Sequence, residues 1–542
     1  MPENPLPAGR WRGRLPSVIA ALGTALALGG GLLTAAHAEP TSSAAAQADR
    51  SAPLGLTVKT PYGAVRGREL DGAQAFLGMP FAQPPVYDLA WKAPVEPERW
   101  SGLRDATEQE AACLQFQPTG VKNDQPTSLD CLYLDVYRPS RIRKGEKLPV
   151  LVFYHGGAGT QGSGVLYGGQ TMADRNDVIV VSTNYRLGAA GNLALPGLDA
   201  ENAAAGGNFA LLDQVEALTW VRKSIGAFGG DPSDVTVFGQ SAGARAVCNL
   251  LATPLAEGLF DSAIMQSSPC LGGGTTQARA HQNGEAFADA VGCAPGDEQL
   301  TCLRKAWPAS LVQAFATDRP SGYVGTSALP QASGDAISSG NWNKVPVIVG
   351  NTRWEQKLQN QQHADISAAE YEAMVIDQFG ETAGRIVLEE YPASDYERPF
   401  YALAAMRTDA GAGCTVDVNA DLFLGQDVPV YRYHFDDPTS PTLFGFQPEG
   451  IDMSSAHSGE LAYLFDFTLG DRPLTAQQQK LGDSMQAYWA AFARSGKPQA
   501  KGEVTWPRHT ADGDKALRLA PRIEVITGLR ELHNCEFFEN LP

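Results

Sequence analysis

Gly239, Ser241 and Gly243 form a G-x-S-x-G motif between two segments of different pattern. Val235–Phe238 before it is an apolar, β-rich run, and Ala242–Leu251 after the serine is compatible with a helix. A serine on a sharp strand-to-helix turn projects its hydroxyl clear of the backbone, and glycines two positions away leave room for that turn. With 57 glycines in the chain the bare pattern also fits an ordinary turn. The strand–turn–helix context predicts that Ser241 is a nucleophile.

A second glycine-rich segment, His155–Gly159 (HGGAG), follows the apolar run Leu148–Tyr154. Acyl transfer builds negative charge on the carbonyl oxygen, and backbone N–H groups flanked by small residues can face that oxygen. An HGG-type loop upstream of G-x-S-x-G supplies such groups, together with the N–H of the residue after the nucleophile, here Ala242. Alone, the segment equally fits an ordinary glycine-rich loop. Ser241 downstream favours an oxyanion hole.

Candidates for the acid and the base follow Ser241 in the chain order serine, carboxylate, histidine. The histidines at a useful distance are His363, His434, His457, His509 and His533. His434 lies in an alternating, strand-like run and is expected to be structural, whereas His457 lies in a small-residue loop that can aim an imidazole. Glu355 follows the apolar run Val345–Val349 by six residues, where a carboxylate can orient a histidine. We therefore predict Glu355 as acid and His457 as base, with Asp335 as the alternative acid.

The elements that must position these groups alternate along the chain. Five short apolar runs rich in β-branched residues each end in a loop of small or polar residues: Leu148–Tyr154, Val178–Ser182, Val235–Phe238, Ala263–Gln266 and Val345–Val349. Between them, Phe209–Phe228 has a helical pattern that Gly229 and Gly230 end. Alternating strands and helices predict an α/β protein with a mostly parallel sheet. In such sheets the chemistry lies in the loops that leave the carboxyl ends of the strands.

Composition restricts the class of partner. The chain has 542 residues, 43% of them hydrophobic, which is ample for a large core. Its formal net charge of -18 repels phosphate backbones, so we expect no nucleic-acid partner.

Residues 1–38 have the pattern of an export signal. Arg10, Arg12 and Arg14 precede a glycine-interrupted apolar stretch, and Ala36-His37-Ala38 fits a cleavage site. We predict cleavage near Ala38, a flexible linker over 39–53, and one catalytic domain over 54–542 in a secreted or periplasmic protein. No stable membrane insertion is expected after cleavage. The alternative is an uncleaved membrane anchor, which the short apolar run disfavours.

Eight cysteines behind such a signal suggest disulfides, although eight cysteines allow 105 pairings and buried thiols are the alternative. No C-x-x-C pair occurs, so a metal cluster is not expected.

The order of these motifs resembles that of the type B carboxylesterases of the α/β-hydrolase fold, the group of cholinesterases and bacterial para-nitrobenzyl esterases. The resemblance covers nearly all of residues 54–542. Its segments are Phe76–Pro85, Ser128–Tyr137, Tyr154–Gly159, Asn184–Gly191, Gly207–Gly243, Ile348–Glu355, Ala456–Phe465 and Cys535–Pro542. It implies a large, mostly parallel central sheet flanked by helices, with an N-terminal antiparallel hairpin region.

The same resemblance implies hydrolysis of a small-molecule ester without a metal or an organic cofactor. It assigns the nucleophile to Ser241, the acid to Glu355 and the base to His457, with the oxyanion hole formed by Gly157, Ala158 and Ala242. It also implies the disulfides Cys113–Cys131, Cys293–Cys302 and Cys414–Cys535. Cys248 and Cys270 have no common counterpart in the family, and whether they form a fourth bridge is left open.

The chain departs from the family pattern at four positions around the site. Ala158 replaces a usual glycine, and Gln240 replaces a usual glutamate, a change expected to matter little. Trp354 and Gln356 flank the acid in place of the usual Asp and Gly. No tryptophan lies between Cys113 and Cys131, which argues against a quaternary-ammonium substrate.

Two other functions stay open at this point. The triad does not distinguish an ester from an amide or a thioester, because the pocket selects the leaving group. A non-catalytic binding module is the second alternative, which the presence of all three triad residues disfavours. The sequence indicates neither the natural ester nor the oligomeric state.

Overall fold

An eleven-stranded mixed sheet forms the centre of the computed structural model. The structure describes residues 53–115, 126–272, 274–306, 308–314, 322–443, 447–467 and 472–542. Residues 1–52, which hold the predicted export signal and almost all of the predicted linker, lie outside the described residues. The described residues belong to one compact unit, residues 50–542.

The strands of the central sheet are, in chain order, β1 (Arg68–Glu69), β2 (Ala73–Pro80), β3 (Tyr133–Pro139), β4 (Leu148–Tyr154), β5 (Ile179–Thr183), β6 (Gly230–Gln240), β7 (Ser262–Gln266), β8 (Val347–Thr352), β9 (Val430–Phe435), β10 (Ala516–Leu519) and β11 (Glu524–Ile526). Across the sheet their order is β11-β10-β9-β8-β7-β6-β4-β5-β3-β2-β1.

The seven strands from β4 to β10 run parallel to one another. Strands β1, β2 and β3 at one edge, and β11 at the other, pair antiparallel with their neighbours. This arrangement confirms the predicted α/β class and the mostly parallel sheet with an antiparallel N-terminal region. Strands β5, β7 and β8 are buried along their whole length, which explains why they read as continuous apolar runs rather than as alternating patterns.

Helices cover the sheet and connect its strands. The α-helices are Gln170–Asn176, Gly188–Gly191, Pro196–Glu201, Phe209–Ser224, Ala242–Ala252, Gln277–Ala290, Gln299–Lys305, Pro308–Ala314, Ser333–Ser338, Gln356–Gln359, Ala368–Glu390, Pro399–Thr408, Cys414–Leu422, Leu461–Leu464, Ala476–Ser495, Leu529–Leu532 and Cys535–Glu539. The predicted helix Phe209–Phe228 is α-helical to Ser224 and tightens into a 3₁₀ turn over Ile225–Phe228. In the part of the chain that the structure describes, no helix is long and apolar enough to cross a membrane.

Smaller sheets accompany the central sheet. They comprise Thr57–Lys59 with Ala64–Arg66 and Leu103–Asp105, Ala112–Cys113 with Thr127–Ser128, Tyr167–Gly168 with Asp466–Phe467, and Thr275–Thr276 with Tyr323–Val324.

Four disulfides join the eight cysteines. Three of them, Cys113–Cys131, Cys293–Cys302 and Cys414–Cys535, are the pairs that the family resemblance implied. The fourth, Cys248–Cys270, ties the helix after β6 to the segment after β7. The pairing that the sequence left open is therefore present, and it lies two helical turns from Ser241.

Candidate active site

Ser241 lies on the sharp turn that the sequence predicted. It follows β6 directly, precedes the helix Ala242–Ala252, and adopts φ 59° and ψ -121°. Its backbone N–H donates to the carbonyl of Gln266, 2.8 Å away, which fixes the turn against the end of β7. A side chain at Gly243 would overlap the carbonyl oxygen of Tyr154. The spacing of the motif thus follows from the close approach of strand and helix at a serine with a strained, positive φ.

Glu355 and His457 are in direct contact, because Oε2 of Glu355 lies at hydrogen-bonding distance from Nδ1 of His457. Glu355 is only 1% exposed. Its other oxygen, Oε1, accepts from the backbone N–H of Thr352 at 2.7 Å and from the hydroxyl of Ser267 at 2.6 Å. Both carboxylate oxygens are therefore held, and the Glu355 side chain is fixed in one orientation toward the imidazole.

The backbone sets this contact in place. Glu355 lies three residues beyond β8, immediately before the helix Gln356–Gln359. The N–H of the preceding residue, Trp354, donates to the carbonyl of Ser455 at 2.9 Å, and Trp354 pairs with Ala456 in a parallel bridge. Glu355 follows Trp354 on one segment and His457 follows Ala456 on the other, so the bridge brings the side chains of Glu355 and His457 together.

The structure accommodates Trp354 and Gln356, the two residues that flank Glu355 in place of the usual Asp and Gly. The indole of Trp354 lies against two cations, with the Lys357 ammonium 5.0 Å and the Arg353 guanidinium 5.1 Å from its ring centre. Gln356 begins a helix, and its N–H donates to the hydroxyl of Thr408 at 3.1 Å. A helical residue needs no glycine freedom, which explains why glutamine is accommodated after the acid.

The environment favours charge on both partners. Burial acts to raise the pKa of the Glu355 carboxyl, but the His457 charge and the hydrogen bonds from His457, Ser267 and Thr352 hold it below its ordinary value. Burial acts to lower the pKa of His457, but the Glu355 charge and hydrogen bond raise it above its ordinary value. An ionised Glu355 accepts Nδ1–H, which leaves Nε2 of the neutral imidazole as the basic atom.

The candidate oxyanion loop adjoins Ser241. A methyl group added at Gly156 would come within 3.2 Å of Cβ of Ser241. Gly157 has φ 103°, and Ala158 has φ 58°, a left-handed conformation that is uncommon for a residue with a side chain. Among the described residues, neither the Gly157 N–H nor the Ala158 N–H donates to a protein acceptor. These two donors are therefore available to a bound oxygen beside Ser241.

Three of the other candidate histidines are engaged elsewhere. His434 is buried in β9 with Nδ1 3.2 Å from Oδ1 of Asn351, as expected for a structural residue. His509 pairs with Asp421 at 2.7 Å, and His533 pairs with Asp409 at 2.6 Å. His363 ends a 3₁₀ turn over Gln361–His363. The alternative acid, Asp335, lies exposed on the helix Ser333–Ser338, so the carboxylate at His457 is that of Glu355.

Three residues at this site were assigned no role from the sequence. Ser267 holds Glu355, and a serine after a strand gave no signal of that role. Glu460 is fully buried close to Glu355 and His457, where burial and the Glu355 charge raise its pKa to about 7. Gln240 was expected to matter little, yet its side-chain amide lies against His457. Its place beside the nucleophile in the motif was the signal that could have identified it.

Two cavities lie along the helix that follows Ser241. One, of about 50 Å³, is lined in part by Ala158, Ala242 and Arg245. The other, of about 210 Å³, is lined in part by Arg245 and the Cys248–Cys270 disulfide. Within the described ranges, no group of three or more His, Cys, Asp or Glu side chains lies close enough together to hold a metal ion.

Known proteins are similar to this chain in sequence and in fold. A family model described as the carboxylesterase family matches residues 55–538. The fumonisin B1 esterase of Sphingopyxis macrogoltabida is 34% identical over 486 residues, which cover 85% of this chain and 85% of that protein. The para-nitrobenzyl esterase of Bacillus subtilis (strain 168) is 32% identical over 495 residues, covering 86% and 95% respectively. A solved PNB esterase superposes with a TM-score of 0.72 at 31% identity, over 90% of this chain and 100% of the other.

Proposed function

The chain belongs to the type B carboxylesterase family of the α/β-hydrolase fold and is a carboxylic ester hydrolase, and from this premise we propose that it cleaves its substrate through an acyl-enzyme on Ser241. Glu355 and His457 complete the proposed triad. Gly157, Ala158 and Ala242 form the proposed oxyanion hole. The contact between Glu355 Oε2 and His457 Nδ1 at the edge of the sheet that carries Ser241 is the observation that carries this proposal.

In the acylation step His457 Nε2 takes the proton of the Ser241 hydroxyl while the oxygen attacks the ester carbonyl. The carbonyl π electrons move to oxygen, and backbone N–H groups stabilise that charge. Glu355 keeps the proton on Nδ1 and stabilises the imidazolium. When the tetrahedral intermediate collapses, the C–O bond to the alcohol breaks, and His457 returns its proton to the leaving oxygen.

Deacylation repeats the sequence with water in place of the serine. His457 removes a proton from water, the hydroxide attacks the acyl carbon, and the second tetrahedral intermediate expels Ser241, which recovers its proton. The products are a carboxylic acid and an alcohol. All proton transfers use one imidazole, so a single buried carboxylate serves both half-reactions.

Amide or thioester cleavage would use the same groups and is the alternative within this mechanism. A non-catalytic binding role is the alternative outside it. The names of the relatives, fumonisin B1 esterase and para-nitrobenzyl esterase, favour ester substrates.

Four disulfides are typical of a protein that folds in an oxidising compartment. Together with the signal pattern of residues 1–38, they favour an exported protein, secreted or periplasmic, whose mature domain begins after the linker 39–53.

A substrate panel tests the proposed chemistry. p-Nitrophenyl esters, p-nitroanilides and thioesters with the same acyl groups should be compared using the wild type and Ser241→Ala. We expect hydrolysis of the esters to dominate and to fall by several orders of magnitude in Ser241→Ala with the fold intact. Faster anilide or thioester cleavage would assign the alternative acyl transfer, and an inert wild type would assign a binding role.

A further inference from the structure

We propose that the two cavities along the helix Ala242–Ala252 bind the acyl part of the substrate and that Arg245 selects an acyl chain ending in a carboxylate. This inference rests on the proposed function, because it takes Ser241 as the point where the acyl group is attached. The acid released on hydrolysis would then be a dicarboxylic or polycarboxylic acid.

Arg245 lies one helical turn beyond the nucleophile. Its backbone N–H donates to the carbonyl of Ser241 at 3.1 Å, which begins the helix Ala242–Ala252. Residues four apart lie on the same side of a helix. The side chain of Arg245 is partly exposed, as is that of Asn249 one turn further along the same side.

Both cavities follow this side of the helix. The smaller one, about 50 Å³, is bounded by Ala158 and Ala242 of the proposed oxyanion hole. The larger one, about 210 Å³, extends to the Cys248–Cys270 disulfide. Arg245 and Asn249 line both cavities, so an acyl chain that starts at the oxyanion hole and enters the larger cavity passes the guanidinium.

The lining of the two cavities carries a positive charge, although the protein as a whole is acidic. Among the described residues that line either cavity, Arg245 is the one with a charged side chain, and none is acidic. The other polar groups in the larger cavity include the side chains of Asn249, Ser268 and Ser333. The chain as a whole carries a formal charge of -18, so a local positive site contrasts with its surroundings.

A guanidinium beside hydroxyl and amide groups matches a carboxylate. Its planar fork of N–H donors binds the two carboxylate oxygens together. Partial burial reduces the screening of this attraction by water and salt. A neutral acyl chain of the same length offers the guanidinium no charge, so Arg245 favours the acidic chain.

The test compares two esters of one alcohol and one acyl length, monobenzyl glutarate and benzyl pentanoate, with benzyl alcohol release as the readout. The wild type should prefer the glutarate ester in kcat/KM. Arg245→Met should lower the glutarate-to-pentanoate ratio by about tenfold to a hundredfold, the worth of a hydrogen bond to a charged group. Arg245→Lys, which keeps the charge but not the fork, should give an intermediate ratio.

Arg222→Met is the matched control. Arg222 contacts the carbonyl of Pro232 near the amino end of β6, at the opposite edge of the sheet from Ser241. Its replacement should leave the ratio at the wild-type value. An unchanged ratio in Arg245→Met would overturn the inference while leaving ester hydrolysis in place.

Binding of free glutarate, measured by calorimetry, separates this inference from the proposed function. Wild-type protein should bind glutarate at least about tenfold more tightly than Arg245→Met, and Arg222→Met should bind like wild type. If the wild type hydrolyses neither benzyl ester, this titration alone decides the subsite, and the p-nitrophenyl panel with Ser241→Ala decides the proposed function. Equal affinity in wild type and Arg245→Met, or no binding by either, would refute the carboxylate site.

Discussion

The side-chain amide nitrogen of Gln240 lies 3.1 Å from Nε2 of His457. Nε2 is the atom that must take the proton of Ser241 in the proposed mechanism, and Gln240 is the residue before Ser241. The family usually has a glutamate here, so this chain replaces a carboxylate beside His457 with a neutral amide. Gln240 is buried, at 2% exposure, so the difference in charge would be poorly screened.

Restoring the carboxylate should change the pH dependence of activity. In Gln240→Glu a negative charge beside His457 stabilises the imidazolium and raises the pKa of that histidine further. Because the neutral imidazole is the base, the acid limb of kcat/KM against pH should move up by about one pH unit, so activity falls more at pH 6 than at pH 8. Gln240→Met, which adds no charge, should not move the limb upward. An acid limb that stays at the wild-type pH in Gln240→Glu would contradict this role.

Replacement of the acid should separate Glu355 from Asp335. Glu355→Gln removes the charge that orients His457 and stabilises its protonated form, so kcat at pH 8 should fall by a factor on the order of 10³–10⁴. Asp335→Asn alters an exposed helix residue and should retain wild-type kcat. The assignment is wrong if Glu355→Gln stays within about fivefold of wild type while Asp335→Asn loses activity.

Ala158→Gly should change the relative kcat/KM for bulky and small esters while leaving the free energy of unfolding nearly unchanged. Glycine relieves the left-handed strain at φ 58°, but it also gains freedom in the unfolded chain, so the free energy of unfolding should change by less than about 1 kcal/mol. The lost methyl group lines the cavity beside Ala242. We expect the kcat/KM for p-nitrophenyl pivalate to rise relative to that for p-nitrophenyl acetate. Equal effects on both esters would show that the methyl group does not face the substrate.

Glu460→Gln should stabilise the protein at high pH. The pKa of Glu460 is raised from 4.5 to about 7, so between these values the unfolded chain releases a proton that the folded chain retains. Wild-type stability is therefore lost as the pH rises from 4.5 through 7. Glutamine keeps the acceptor for Gln266 and does not ionise. The gain in unfolding free energy over wild type should be about 2–3 kcal/mol larger at pH 8 than at pH 5, by urea denaturation. An identical gain at both pH values would refute the raised pKa.

The sequence predicted the elements of the site better than the contacts between them. Strand β4 has the predicted bounds, and the helix after Ser241 ends one residue later than predicted. Strand β6 is longer than its apolar core, because Gly230–Asp234 continues the extended backbone without apolar side chains. Periodicity reports burial, and a polar strand end is invisible to it.

Contacts that depend on pairing between distant loops could not be predicted in the same way. The bridge between Trp354 and Ala456 joins segments about a hundred residues apart, and neither segment is a regular strand. The roles of Ser267 and Glu460 arise from the same tertiary arrangement, since each acts through Glu355 or its neighbours. Residue types and spacing identify candidate groups, but tertiary packing decides which of them form hydrogen bonds or interact electrostatically.

Covalent labelling tests the central claim most directly. A p-nitrophenyl phosphonate reacts with an activated serine and releases p-nitrophenol, leaving a stable adduct on the nucleophile. We predict one adduct per chain, mapped by peptide mass spectrometry to Ser241, with activity lost in proportion to labelling and no adduct in Ser241→Ala. Glu355→Gln should label far more slowly, because its His457 is no longer oriented. An adduct on another residue, or full labelling of Ser241→Ala, would contradict the assignment of Ser241 as the nucleophile.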